Sequence, residues 1–261
     1  MVYTALTNLS AIDVRSLLRR LGELTGRIVL IGGQAVSVWA HLYFDELPTA
    51  LKGVPLTSKD IDFCGDNKAV RLAAERLNGK ALFPSMDDPT PNVGVVQYVD
   101  SAGETRGIDF LGAPHGINSE KEVNDRAQSI ELLDETGKGT GQFYLVLHPV
   151  HSLVSRVSNV ATLPGYDTLD ALQQLDASIH SCRGFIRQVL KDVGVRAALN
   201  LNEEVIAVAC SVNGRTVHKK HGRDPFEAVV CDSSLPEKFT MERYPRVAQW
   251  LEKKRAAPSK P

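Results

Sequence analysis

Arg27-Ile28-Val29-Leu30-Ile31-Gly32-Gly33 is a short apolar run, rich in residues branched at Cβ, that stops at two adjacent glycines. Branched side chains favour extended backbone, and a continuous apolar run of this length reads as a buried strand. The two glycines let the chain turn sharply where it leaves the strand. Beyond them, Gln34 to Phe44 places Ala35, Val38, Trp39 and Leu42 at helical spacing. The unit is therefore strand, Gly-Gly, helix. On the other side, Ser10 to Gly26 predicts an amphipathic helix. Ser10 and Asp13 form a capping pair, Val14, Leu17, Leu18, Leu21 and Leu24 share one side, and Gly26 closes it.

Downstream, Pro48 to Ser58 carries two prolines and a glycine and predicts a loop. Asp60-Ile61-Asp62-Phe63 then alternates acidic and apolar residues, which puts both carboxylates on one strand face. Lys68 to Leu77 predicts a helix. Asn92 to Val99 and Thr105 to Leu111 predict a hairpin joined through the turn-like Asp100-Ser101-Ala102-Gly103. Ile130 to Leu133 and Gln142 to Leu147 are two further strands. Near His148-Pro149 the pattern changes to helices, over Val150 to Thr162, Thr168 to Cys182, Phe185 to Val193, Ala198 to Val212 and Tyr244 to Lys254. Pro258 to Pro261 reads as a frayed tail. The expectation is an α+β fold, with a mixed sheet flanked by helices in residues 1–147 and a helical domain in 148–261.

A chain of 261 residues with 43% hydrophobic content can bury one large core or two modest ones, which excludes disordered and fibrous classes. Thirty basic residues balance 31 acidic ones, so any contact with nucleic acid must be a local patch. Cys64, Cys182, Cys210 and Cys231 lack zinc-ligand spacing, and no stretch resembles a secretion signal. No apolar run approaches the roughly 20 residues that span a bilayer. The expectation is a cytoplasmic protein with reduced thiols and no membrane partner.

An acidic-x-acidic triplet means little alone, because a chain with 31 acidic residues in 261 holds roughly 3 to 4 by chance. Its setting gives it weight. Asp60 and Asp62 follow a Gly-Gly turn and helix on an apolar strand, where two like charges repel unless a cation neutralises them. Mg²⁺, or Mn²⁺ in its place, is a hard ion suited to carboxylates, water and phosphates. Nucleotidyl transfer uses two such ions and needs a third carboxylate. Gly107-Ile108-Asp109-Phe110-Leu111 supplies it in the second strand of the hairpin. Asp109 is then also a candidate proton acceptor. Gly32 and Gly33 let backbone N–H groups and a helix N-terminus approach phosphates. Against this stand ordinary alternatives: solvated carboxylates at strand ends, and a plain tight turn.

Ile31-Gly32-Gly33, then Asp60-Ile61-Asp62-Phe63, then Ile108-Asp109-Phe110 resembles the signature of the DNA polymerase β-type nucleotidyltransferase superfamily, and within it the AbiEii-like and MenT-like toxin branch. The resemblance covers roughly residues 27 to 111. It implies Asp60, Asp62 and Asp109 as metal ligands and catalytic residues, an NTP as donor, and a hydroxyl of RNA or protein as acceptor. For RNA, a tRNA 3′ end is one such acceptor. It also implies pyrophosphate release and an antitoxin partner. Two departures stand out. The Glu46 to Thr57 loop makes the stretch between Gly33 and Asp60 longer than in compact members. Arg156 stands where the branch carries a lysine, and arginine grips a triphosphate without readily donating a proton.

In the helical half, Arg156, Asn159 and Asp167 are candidate nucleotide-binding residues, together with Gly32 and Gly33. Each has a structural alternative: an ion-paired arginine, a packed polar side chain, and a helix N-cap beside Thr168. Gln173 could read a base edge, whereas His148 and His151 read better as structural. Asn213 to Arg223 gathers Arg215, Lys219, Lys220 and Arg223, either as a solvated basic loop or as a hold on RNA phosphates. That segment interleaves no aromatic residue for stacking. A second class of function also fits: an NTP-binding or regulatory module on the same fold that has lost turnover.

Overall fold

The computed structural model describes residues 11–56, 60–85, 87, 90–100 and 102–256. The predicted cap Ser10, the Thr57-Ser58 end of the loop, Ser101 in the predicted turn and the Pro258 to Pro261 tail lie outside the described residues. Among the described residues, β1 (Val29–Ile31), β2 (Ile61–Cys64), β3 (Lys80–Leu82), β4 (Asn92–Val99), β5 (Thr105–Leu111), β6 (Gln128–Leu133) and β7 (Gly139–Val146) form one sheet. Its order is β3-β4-β5-β2-β1-β7-β6. β1 runs antiparallel to β2 and parallel to β7, and β2 runs parallel to β5. The remaining pairs are antiparallel. The sheet is thus mixed, and the class is α+β.

Nine α-helices are present among the described residues: α1 (Ala11–Leu21), α2 (Gly32–Leu42), α3 (Asn67–Leu77), α4 (Glu120–Arg126), α5 (Pro149–Thr162), α6 (Leu169–Asp192), α7 (Val195–Cys210), α8 (Val212–His221) and α9 (Tyr244–Ala256). The first predicted helix is shorter than its apolar pattern. It gives way at Gly22 to a 3₁₀ turn, Gly22–Gly26. None of the helices among the described residues is long and apolar enough to cross a membrane.

Register explains the core. Leu30 lies opposite Phe63 and Val146, Ile61 opposite Ile108, Phe63 opposite Phe110, and Val96 opposite Ile108. Side chains paired this way share a face, and every one of these is buried. The Phe63 and Phe110 rings stack with centroids 5.8 Å apart. Burying each such side chain is worth about 1.5–3 kcal/mol. α3, capped by Asp66 through its hydrogen bond from the Ala69 N–H, packs against β4 and buries Val70, Ala73 and Leu77.

The chain divides into two units, one of Met1–Ser37 with Pro55–His151 and the other of Val38–Val54 with Ser152–Pro261. The second unit therefore takes in a segment that a single cut between 147 and 148 assigns to the first. Packing within that unit is the reason. Trp39 meets Phe185 at a ring separation of 6.1 Å, and Tyr43 donates a 2.6 Å hydrogen bond to Gln188. Glu46 is held by Arg183 and Arg187.

Candidate active site

β1 ends at Ile31, whose register partner on β2 is Asp62, and Asp62 in turn lies opposite Asp109 on β5. The two carboxylates therefore project from adjacent strands on the same face of the sheet, opposite the face formed by Phe63 and Phe110. Both are half-buried. Asp60 differs from the sequence expectation. It sits at a bend one residue before β2 and is exposed, so the alternating strand begins only at Ile61. Its charge still reaches the site. Burial pushes the Asp109 carboxyl above its ordinary range, and the negative charge of Asp60 pushes it further the same way.

The glycines that end β1 open α2 directly, two residues earlier than the apolar pattern of that helix predicts. Gly32 has φ +67°, in the left-handed region, and a Cβ built on it would overlap the Asp62 carboxylate. The missing side chain is what allows Asp62 to lie against the start of the helix. Gly33 is buried in the first helical turn. The unpaired N–H groups at a helix N-terminus favour anions, including phosphates.

One contributor is not visible in the sequence motifs. Asn92 Nδ2 donates to Asp109 Oδ1 at 3.3 Å, and the pairing of β4 with β5 slips between Asn92 and Gly94. A bulge of this kind re-aims a side chain at a strand end. The isolated Gly94 within a strand pattern was the available signal.

The helical-half candidates fall in the second unit. Arg156 is half-buried and donates to Gln174 Oε1 at 2.9 Å. Asn159 is buried, and its Oδ1 accepts no hydrogen bond among the described residues. Asp167 is exposed, and the N-cap of α6 is Thr168, which accepts from the Ala171 N–H. Gln173 is half-buried. In the first unit, His148 and His151 are buried. The Val150 N–H donates to His148 Nδ1 at 3.2 Å, and His151 Nε2 lies 3.4 Å from Glu122.

Among the described residues, no group of three or more His, Cys, Asp or Glu is gathered closely enough to hold a metal ion by itself. Mg²⁺ does not require one, since it is commonly held by one or two carboxylates with water and substrate phosphates. Asp62 and Asp109, in register on adjacent strands and backed by Asp60, fit that kind of site. A cation there would offset both causes that raise Asp109, its burial first and the Asp60 charge second.

No protein-family model matches this chain, and no curated protein matches it. Among solved structures, the crystal structure of JHP933 from Helicobacter pylori matches over 95% of this chain and 94% of that one. It does so at 14% identity with a TM-score of 0.39. A likeness at that level carries no argument, and the site rests on this chain's own residues.

Proposed function

We propose that this chain is a nucleotidyltransferase of the DNA polymerase β type, of the AbiEii/MenT-like branch. It moves a nucleoside monophosphate from an NTP to a hydroxyl of RNA, such as a tRNA 3′ end, or of protein. The observation that carries this is the register of Ile31, Asp62 and Asp109, which sets two carboxylates side by side where Gly32 opens α2.

Asp60, Asp62 and Asp109 would hold Mg²⁺ or Mn²⁺, and such ions, when bound, activate the acceptor hydroxyl and neutralise the triphosphate. The N–H groups that open α2 receive the phosphates. Asp109, as the ionised carboxylate, takes the proton of the acceptor hydroxyl. The acceptor oxygen bonds to the α-phosphorus, the bond to the bridging oxygen breaks, and pyrophosphate leaves. As a toxin of this branch, the chain would have an antitoxin partner.

Incubation with each labelled NTP, Mg²⁺ and total RNA or lysate should label an acceptor, and Asp62→Asn should abolish labelling while circular dichroism stays native. Absence of label with all four NTPs, from a folded protein, sinks the proposal. Arg156 in place of the expected lysine favours a second reading, an NTP-binding module without turnover. Calorimetry with pyrophosphate detection separates the two, because the module takes up NTP and releases no pyrophosphate.

A further inference from the structure

The segment Asn213 to Arg223 carries a basic cluster without aromatic residues in sequence, and the fold supplies one. Most of it is helix α8, packed against α9. The Arg215 guanidinium lies 5.8 Å from the centre of the Trp250 ring, and the Lys254 ammonium lies 5.8 Å from the same ring. Trp250 is 38% exposed, whereas Trp39, the other tryptophan of the chain, is 3% exposed. Arg246, one helical turn before Trp250, lines with it a cavity of about 370 Å³ between α7 and α9, floored by Ile206 and Val247.

The charge of this face is one-sided. Arg243 is taken up by Glu203 through two hydrogen bonds, 3.0 and 2.7 Å, and Arg255 pairs with Asp224. Lys220, Arg246, Lys253 and Lys254 are all exposed. The sequence of α8 holds no acidic residue, and that of α9 holds Glu252 alone. In a chain whose 30 basic residues are matched by 31 acidic ones, this excess is local. Cations around a partly exposed indole match a polyanion that also offers flat rings. A single-stranded nucleic acid presents both, a duplex hides its base faces, and an acidic peptide makes no use of the indole.

We propose that the α8/α9 face binds single-stranded RNA, with a base stacked on Trp250 and phosphates held by Arg246, Lys253 and Lys254. The choice of RNA rests on the proposed function, in which an RNA hydroxyl accepts the nucleotide. Binding itself needs neither NTP nor metal.

The test is fluorescence anisotropy of a labelled single-stranded RNA with the full chain, without NTP or Mg²⁺. Trp250→Ala is expected to weaken binding about five- to a hundred-fold, with Trp250→Phe in between. Arg246→Gln with Lys254→Gln should flatten the plot of log affinity against log salt by about 0.7 per lost phosphate contact. RNA should quench tryptophan emission in the wild type and not in Trp250→Phe. Native circular dichroism checks each variant. The proposal is overturned by no RNA binding, by equal binding of Trp250→Ala, or by duplex RNA, single-stranded DNA or polyglutamate binding as tightly. Asp62→Asn keeps the two proposals apart, since it should bind RNA normally while transferring nothing. RNA binding at this face while no acceptor, RNA or protein, is labelled with any NTP defeats the transferase alone, and RNA labelled unchanged by Trp250→Ala defeats the face alone.

Discussion

Gly32→Ala should be costly for two separable reasons, and a comparison with Gly53→Ala separates them. Both glycines have positive φ, +67° and +91°. An L residue in the left-handed region costs about 1–2 kcal/mol at either position. At Gly53 nothing lies within 4 Å of an added Cβ, so backbone strain is the whole cost. At Gly32 the added carbon overlaps the Asp62 carboxylate and stands 3.0 Å from Asp62 Cγ, so Asp62 must move. Forcing an atom into packed space adds roughly 1–3 kcal/mol. Urea denaturation should give about 1–2 kcal/mol for Gly53→Ala and about 2–5 kcal/mol for Gly32→Ala. Asp62→Ala removes the overlapping oxygens, so the double variant should recover about 1–3 kcal/mol relative to the sum of the singles. Gly32→Ala should also lose metal-dependent NTP uptake in calorimetry, because its Asp62 is displaced. Equal costs at Gly32 and Gly53, with no recovery in the double variant, would refute the claim that Gly32 exists to seat Asp62.

Asn202 is fully buried, accepts from the Val230 N–H at 2.9 Å and donates to the Val230 carbonyl at 3.0 Å. Asn202→Ala orphans both backbone groups at about 1–3 kcal/mol each, and a thermal melt should show a large drop. Burial, with Arg126 and His151 beside it, lowers the pKa of His148 to about 3 from an ordinary 6.5. The unfolded chain then binds the proton first. The neutral His148 therefore contributes fully above pH 6.5, and stability falls by roughly 1.4 kcal/mol per pH unit from there toward pH 3. Denaturation at pH 7 and pH 5 should show a smaller loss for His148→Gln than for the wild type, and equal losses would count against this.

The parts legible in the sequence are those set by local pattern. The hairpin of β4 and β5 follows from two strand-like runs joined by a short turn-like segment that holds Asp100 and Gly103. Ile31-Gly32-Gly33 marks the end of β1, because an apolar run rich in Cβ-branched residues stops at two glycines. What escaped depends on partners far along the chain. The two expected helices, Thr168 to Cys182 and Phe185 to Val193, are one, α6, which runs straight through Gly184. The glycine is there because a Cβ would press on the Tyr43 ring, 2.8 Å away. Asn213-Gly214 suggested a loop but lies inside α8, which Ser211 caps through the Gly214 N–H. β3 is one exposed and two half-buried residues, too short for a periodic signal. α4 is absent from the sequence reading, although Ser119, which accepts from the Glu122 N–H, stands three residues before a glutamate as in a capping box. Within the site, Asp62 and Asp109 stand out by residue type. Their adjacency needs the parallel pairing of two strands far apart in sequence, and Asn92 needs a bulge.

The strands that carry the site, β5, β2 and β1, are the middle three of the seven. Each is hydrogen-bonded on both sides, so opening any of them breaks two ladders at once, whereas β3 and β6 are each held by one. Amide protons along Ile61–Cys64 should therefore exchange with solvent far more slowly than those along β3 or β6, and fraying should begin at the sheet margins. Either margin can loosen, lengthen or drift in sequence while the carboxylates keep their spacing. The durability of the site comes from where its strands lie in the sheet, more than from the bonds the carboxylates make.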